Sequence, residues 1–332
     1  MEPNGGLLRL IAMRMYPTDS FGLVRREAAH LVGICDREIA SAIRDDHLLR
    51  LYPGVYVPPS DDFTGREGAQ RLHRLTAIAI ATSTRTDGPI LPISHDSAAA
   101  MHAVPLLKPS IRQVHVVTGQ SSGGGIRRHR HLHAAPIDDD EITTVDGIAV
   151  TSLERTSVDV ACAGTFAQAL TAFDQTIRCG GDAALMAEIL ARRRRVGGRR
   201  AARALSMADG ASESVGESWS RAQMIEAGLP VPRLQHRFIC RSGTYATDFD
   251  WDEKLVGEFD GKVKYGRLLR TGENATDAVI REKVREDEIR AHGPMVIRWT
   301  WSTLESGSVP TLLHPWLTKF GLITPASQFS SR

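Results

Sequence analysis

Apolar residues recur at helical spacing early in the chain and then give way to alternation. Residues 25–32 (RREAAHLV) set Ala28, Leu31 and Val32 on one helical face. Gly33 interrupts the pattern, and Asp36 is placed to cap a second helix. In that helix, DREIASAIRDD, Ile39, Ala42 and Ile43 point inward, while Arg37, Ser41 and Arg44 point elsewhere. In HLLRLYPGVYVPP, Leu49 and Leu51 alternate with Arg50 and Tyr52, Pro53-Gly54 makes a turn, and Val55 and Val57 continue a second strand. Two short helices followed by a two-stranded ribbon predict a winged helix-turn-helix over residues 1–60. The second helix of such a module can enter the major groove, and the ribbon can touch the backbone or the minor groove. Arg37, Ser41 and Arg44 are the candidate DNA-facing residues of the helix, with Arg50 and Tyr52 on the wing. Glu38, Asp45 and Asp46 share that helix, and protein binding is the other use of the module.

Beyond Pro59 the periodicities keep alternating. Residues 60–70 read as a polar loop, 71–82 and 94–107 as helices, 111–118 as a strand, 120–125 as a flexible loop and 126–135 as a basic strand. A short strand follows Gly147, and helices run through 153–162 and 166–178. We expect a mixed α/β middle domain over 61–165 and a helical, arginine-rich linker over 166–205. The small polar run 206–216 then marks a boundary. Residues 206–310 read helix (215–227), strands (234–241, 244–250, 254–260), helix (276–292), strand (295–301), which is a central sheet flanked by helices. Residues 311–332 read as a tail. The fold class is therefore α/β locally and α+β overall.

Composition narrows the function classes. At roughly 150 residues per domain, 332 residues predict two or three domains. Hydrophobic residues at 42% and charged residues at 24% are ordinary for a globular chain. The net charge of +2 hides a concentration of arginine: Arg192, Arg193, Arg194, Arg195, Arg199, Arg200 and Arg203. That stretch reads equally as a polyanion-binding segment and as a solvated helix. Cys35, Cys162, Cys179 and Cys240 are too dispersed for a metal knuckle, so free thiols in a reducing cytoplasm are expected. No apolar run approaches the roughly 20 residues a membrane span needs, and no signal-peptide pattern opens the chain.

The strongest chemical signal is TDFDWDEKLVGEFDGK, residues 247–262. Strand residues two apart share a face, so Asp248 aligns with Asp250, and Glu258 with Asp260 and, past Gly261, Lys262. The intervening Trp251-Asp252-Glu253-Lys254 fits a hairpin turn that brings the two acidic faces side by side. Clustered carboxylates repel, and hard divalent cations relieve that repulsion. Asp248 and Glu258 are thus candidate Mg²⁺ ligands, with a nearby lysine to offset charge on a phosphate. Glu217 follows Ser214 at capping-box spacing, which explains it as well as a catalytic role does. His129, His131 and His133 alternate on the basic strand; such spacing can present metal ligands, and an exposed polar face is its commoner use. Gly123-Gly124-Gly125 lacks the context of a phosphate loop.

Two resemblances follow from these segments. Val24-Arg25-Arg26-Glu27-Ala28-Ala29, Asp36-Arg37-Glu38-Ile39 and Leu49 through Val57 look like the N-terminal region of AbiEi-type antitoxins, bacterial transcriptional regulators of type IV toxin–antitoxin systems. The likeness continues through Ser94-His95-Asp96-Ser97-Ala98-Ala99 and Asp146 to Ser152, covering roughly the first half of the chain. It implies DNA binding, often autoregulatory, with an operator or a cognate toxin as partner. The segment from about Ser212 to Leu304 resembles the PD-(D/E)xK nuclease superfamily, in the branch similar to very-short-patch-repair endonucleases. That resemblance implies a restriction-endonuclease-like central sheet over 206–310, metal ligands at Asp248 and Glu258, Glu217 as an outer acid and Asp260 as a further acid. The superfamily pattern wants lysine two residues after the acid, where this chain has Asp260. A shifted register, Asp250 with Asp260-Gly261-Lys262, restores the lysine; alternatively Lys262 or Lys264 reaches back from the turn. The leading expectation is a DNA-binding protein with a Mg²⁺-dependent endonuclease-like domain. The alternative is a non-catalytic autoregulator or antitoxin.

Overall fold

Strand β1 (Val24–Arg25) leads directly into helix α1 (Arg26–Leu31), and a turn at Gly33 passes to helix α2 (Asp36–Arg44). The ribbon β2 (Leu49–Tyr52) and β3 (Val55–Val57) completes an antiparallel sheet in the order β1-β3-β2. This computed structural model describes residues 16–83, 88–192, 194–261 and 275–324. The chain is mixed helix and strand with several small sheets, and it divides into two compact units.

The first unit comprises the chain to Ala103 and Pro109–Ser152. After the ribbon come α3 (Gly65–Ala81), α4 (His95–Met101), β4 (Val114–Val117), β5 (Gly125–Ile126), β6 (Arg130–His133), β7 (Ile142–Val145) and β8 (Ile148–Thr151). Strands β4 and β6 pair in parallel, β5 pairs antiparallel with β6, and β7-β8 is a hairpin. The helix α3 starts earlier than the apolar pattern predicts, because its first turn is a polar face and its inward stripe begins only at Leu72. Helix α4 is shorter than predicted: Ala103 adopts a left-handed φ of 58°, and Pro105 disfavours helix at Val104.

Two apolar clusters of described residues help hold this unit. Val24, Ala29, Ile34, Ile39, Ala42, Leu48 and Tyr56 form the small one between the two first helices and the sheet. Leu23, Tyr52, Val55 and Val57 instead join Ile78, Ile93, Val114, Val116 and Leu132 in a larger core. The ribbon and the following helix and strands therefore share one core, and no gap falls at residue 60. The inward face expected from Ala28, Leu31 and Val32 is corrected. Leu31 is 89% and Val32 60% exposed, since Leu31 lies across the helix from the buried Ala29 and Val32 is already its C-cap, and Ala29 and Ile34 fill the core.

The second unit contains Val104–Lys108 and everything from Leu153. Its helices α5 (Leu153–Ala163), α6 (Phe166–Arg178), α7 (Ala183–Arg192) and α8 (Gly198–Leu205) precede α9 (Val215–Glu226). Then come β9 (Arg233–Ile239), β10 (Thr244–Trp251), β11 (Leu255–Asp260), α10 (Ala275–Ala291), β12 (Met295–Thr300), α11 (Trp301–Glu305) and α12 (Val309–Lys319). The sheet order is β12-β11-β10-β9, antiparallel except for the β11–β12 pair, which is parallel and joined through α10.

The boundary placed near residue 206 is also corrected. Asp174 on α6 is fully buried and accepts hydrogen bonds from Arg221 Nη1 on α9 at 2.6 Å and from the Asp209 N–H at 2.8 Å. Gln175 donates to the Ser212 carbonyl and to Ser218 Oγ. Phe166, Leu170, Phe173, Met186, Ile189, Ala201 and Ala204 pack with Ala222 and Ile225 in one cluster. Residues 166–205 are thus part of a core rather than a linker. Several of their arginines are structural: Arg195 reaches Asp159 at 2.8 Å, Arg200 the Cys162 carbonyl at 3.0 Å, and Arg203 lies over the Phe166 ring. Arg193 lies outside the described residues. The start of the expected tail is helical, because Val309, Leu313 and Leu317 recur at four-residue spacing and are fully buried.

Candidate functional site

Alternation along β10 and β11 sorts the sheet into two chemically different faces. Phe249, Trp251, Leu255 and Phe259 face α9 and α12, with Ile297 and Trp299 from β12. This face is drawn tight by two glycines. A Cβ at Gly216 would lie 2.0 Å from the Phe259 ring, and one at Gly257 would lie 2.6 Å from the Trp299 ring. Trp299 Nε1 donates to Ser220 Oγ at 2.8 Å, fixing the strand to the helix. On the other face Phe238, Val256 and Val296 pack with Ile289 of α10. Asp248, Asp250, Glu258 and Asp260 have the parity of that second face.

The ladder pairs Phe249 with Gly257 and Asp250 with Val256, so one further step sets Asp248 opposite Glu258. Directly opposed residues have Cβ atoms about 4.5–5.5 Å apart. The Asp248 Oδ2 accepts the Phe259 N–H at 2.8 Å. Arg285 of α10 donates to both Glu258 oxygens, Nη2 to Oε1 at 2.9 Å and Nη1 to Oε2 at 3.3 Å, and also to the Ala246 carbonyl at 2.6 Å. Burial pushes the Glu258 carboxyl up to about 7; the Asp248 charge adds to that rise, and Arg285 opposes it. Arg298, the β12 neighbour of Glu258, reaches Glu286 at 3.0 Å.

The remaining acids are held in other ways. Glu217 is 3% exposed: Oε1 accepts from Ser214 Oγ and Oε2 from the Glu213 N–H, both at 2.7 Å, while Ser214 Oγ accepts the Glu217 N–H at 3.2 Å. Ser214 thus caps the α9 N-terminus, while Glu217 holds the Ser214 hydroxyl and the N–H of the residue before it. Asp250 is fully buried, binds Arg233 through Oδ2 and accepts the Glu253 N–H at 3.1 Å, which closes the turn where Asp252 and Glu253 are left-handed. In the shifted register Asp250 would be a metal ligand; its oxygens here hold an arginine and a turn, as those of Glu258 hold Arg285. Asp260 is half-buried at the end of β11, beside Thr300. Lys262 lies outside the described residues.

In the winged module Arg37, Arg44 and Arg50 are exposed and Ser41 is half-buried. Ser41 Oγ donates to Asp45 at 3.1 Å and accepts from Arg44 at 3.4 Å. Arg26 and His30 both bind Asp36, tying α1 to α2 and holding that carboxyl well below the usual range. Tyr52 is a correction. It is 5% exposed and packs in the larger core with its ring edge on His129, because a register irregularity between Arg50 and Tyr52 breaks the alternation that placed it outside.

Among the described residues, three metal-capable side chains with ligand atoms all within 4.8 Å of one another occur only at His95, His115 and His133. Of the alternating histidines, His131 and His133 do share a face, but their companion is His115 rather than His129. Strand spacing alone could not find His95 or His115, which come from other elements. Among the described residues no helix is long and apolar enough to cross a membrane.

No protein-family model matches the chain. It is similar to two uncharacterized proteins of Mycobacterium tuberculosis, MT2308 from strain CDC 1551 and Rv2248 from strain H37Rv. Each is 27% identical over 265 residues, a span covering 74% of this chain and 90% of the relative.

Proposed function

We propose that the protein binds duplex DNA and that its second unit carries a Mg²⁺-dependent, endonuclease-like site for phosphodiester hydrolysis at Asp248 and Glu258. One relationship carries this reading: continued by one step, the β10–β11 register sets the two carboxylates opposite each other, with Asp248 Oδ2 on the Phe259 N–H, on a face whose burial raises the Glu258 pKa. Carboxylates so placed repel unless a proton or a cation intervenes. Their oxygens fit a hard divalent ion, and Asp248 and Glu258 are the residues that would hold it. Bound there, Mg²⁺ would supply Lewis-acid polarisation of the phosphate and a lowered pKa for water. The Arg285 guanidinium, now on Glu258, is shaped for bidentate contact with phosphate oxygens. The exposed Arg37, Arg44 and Arg50 supply charge for phosphate contacts that position the duplex.

The test is incubation of the full chain with supercoiled duplex DNA. The reading requires nicking or linearisation in Mg²⁺, none in chelator, and none from Asp248→Asn or Glu258→Gln. A second reading has its own support: Arg285 engages both Glu258 oxygens and Glu217 is occupied at the α9 N-terminus. Those contacts favour a non-catalytic regulator or antitoxin that binds DNA, in which case the wild type leaves the plasmid intact.

A further inference from the structure

Imidazoles from three elements of the first unit meet on one side of the β4–β6 pair. Parallel pairing sets His115 beside His131 and Val117 beside His133. His133 Nε2 lies 3.0 Å from His115 Nδ1. The His133 ring stacks on His95 with centroids 3.6 Å apart, and the His131 ring is 4.0 Å from that of His133. His95 opens α4 with a left-handed φ of 50°, a region that histidine enters more readily than most residues bearing a side chain. Its Nδ1 is 3.0 Å from Ser94 Oγ.

A polar cluster this deep has to satisfy its nitrogens, and here one is left over. His115 is 4% exposed, and its Nε2 has no hydrogen-bond partner. Burial, together with the neighbouring imidazoles, pushes His115 and His133 down to about 3. Asp96 Oδ2 stands 4.0 Å from His115 Nδ1, and the Ser110 N–H donates to Oδ1 at 3.0 Å. A carboxylate behind an imidazole is the arrangement that orients a metal-binding histidine.

We propose that His95, His115 and His133 bind one divalent transition-metal ion of borderline softness, Zn²⁺ foremost, through three neutral imidazole nitrogens. An all-nitrogen donor set suits Zn²⁺ and its first-row neighbours and not Mg²⁺, so this site is separate in chemistry and position from the acidic pair. Tetrahedral Zn–N bonds of about 2.0–2.1 Å set ligand nitrogens about 3.4 Å apart, and the three rings already bring ligand nitrogens within 4.8 Å of one another. Capture turns the His95 ring out of its stack so that its nitrogen faces the ion. Three protein ligands leave a fourth position for water or a small anion, which marks an exchangeable site rather than a closed structural one. The ligands come from α4, β4 and β6, so the ion fastens the helix to the sheet.

The experiment uses chelator-treated full chain, with Co²⁺ as the spectroscopic probe and Zn²⁺ as competitor. One equivalent of Co²⁺ is expected to give the intense visible bands of a four-coordinate site, and Zn²⁺ to abolish them and raise the melting temperature. His133→Gln and His95→Gln should weaken binding by more than the roughly 10–100-fold typical of losing an outer partner, while Asp96→Asn falls within that range. His131→Gln and Asp248→Asn should keep the bands. Because ligand variants can misfold, the wild type decides by itself: no binding, or only the weak spectrum of a six-coordinate oxygen site, overturns the proposal. Undiminished bands in both His133→Gln and His95→Gln overturn it as well.

Discussion

Arg285 and Glu258 form a two-point ion pair, with Nη2 donating to Oε1 at 2.9 Å and Nη1 to Oε2 at 3.3 Å. The pair joins α10 to β11, and only 19% and 12% of the two side chains is exposed. Removing one partner of a buried pair leaves the other charge desolvated. Arg285→Met should therefore destabilise the second unit by about 2–4 kcal/mol at pH 8. The loss should shrink at pH 6, where Glu258 takes up a proton. Urea denaturation at the two pH values checks this, and an equal loss at both would show that Glu258 is not the group left exposed to the deficit.

Glu258 also sets a pH dependence of the wild type. Its carboxyl is raised from 4.5 to about 7 in the folded protein. Between those values the folded state holds a proton that the unfolded chain has released. The contribution is thus fully present below about 4.5 and is lost as pH rises towards 7. The change is on the order of 3 kcal/mol for a shift of this size. Glu258→Gln cannot titrate, so its stability relative to wild type should rise across that window. A pH-independent difference between the two proteins would contradict the assignment.

Arg37, Arg44 and Arg50 are exposed on one module, whereas Tyr52 is in its core. If each arginine meets a phosphate, the triple alanine variant should lower the log–log salt slope of DNA affinity by about 0.9 per contact. Tyr52→Ala should act through folding instead, costing about 3 kcal/mol as a large-to-small core change. Fluorescence anisotropy with a labelled duplex across salt concentrations separates the two effects. An unchanged slope in the triple variant would remove these arginines from the interface.

The buried Asp174–Arg221 pair predicts where proteases cannot cut. Residues 206–216 carry the small polar sequence of a linker but are fastened by Asp174, Gln175 and Arg221. Limited proteolysis should spare this run in the wild type and open it in Asp174→Ala, which strands Arg221 at a cost of about 3–5 kcal/mol. Primary cleavage of the wild type between 206 and 216 would contradict the shared core.

Legibility of the sequence followed the locality of the signal. The strands and helices of 215–300 were readable because Phe249, Trp251, Leu255 and Phe259 alternate with acids, and Asp250 and Glu253 close a short turn. The opposition of Asp248 and Glu258 follows from that turn length alone. Composition misled at 206–216, where Asp174 and Gln175 lie more than thirty residues upstream and Arg221 comes from the following helix, and at the arginine stretch, where Arg195 answers Asp159. Arg285 and the His95–His115–His133 cluster depend on tertiary proximity and leave no spacing pattern. Tyr52 was lost to a one-residue irregularity that alternation cannot foresee.

The central claim, that Asp248 and Glu258 hold a hard divalent ion, is tested most directly by Mg²⁺-dependent melting followed through tryptophan fluorescence. All five tryptophans, Trp219, Trp251, Trp299, Trp301 and Trp316, lie in the second unit, so the signal reports that unit. A ligand that binds only the folded state stabilises it by RT ln(1 + [L]/Kd), about 1.4 kcal/mol at ten times Kd. The account predicts that Mg²⁺ raises the melting temperature of the wild type in this way, and does so far less in Asp248→Asn and Glu258→Gln. A wild type that melts at the same temperature with and without Mg²⁺, or a shift that persists in full in both variants, would contradict it.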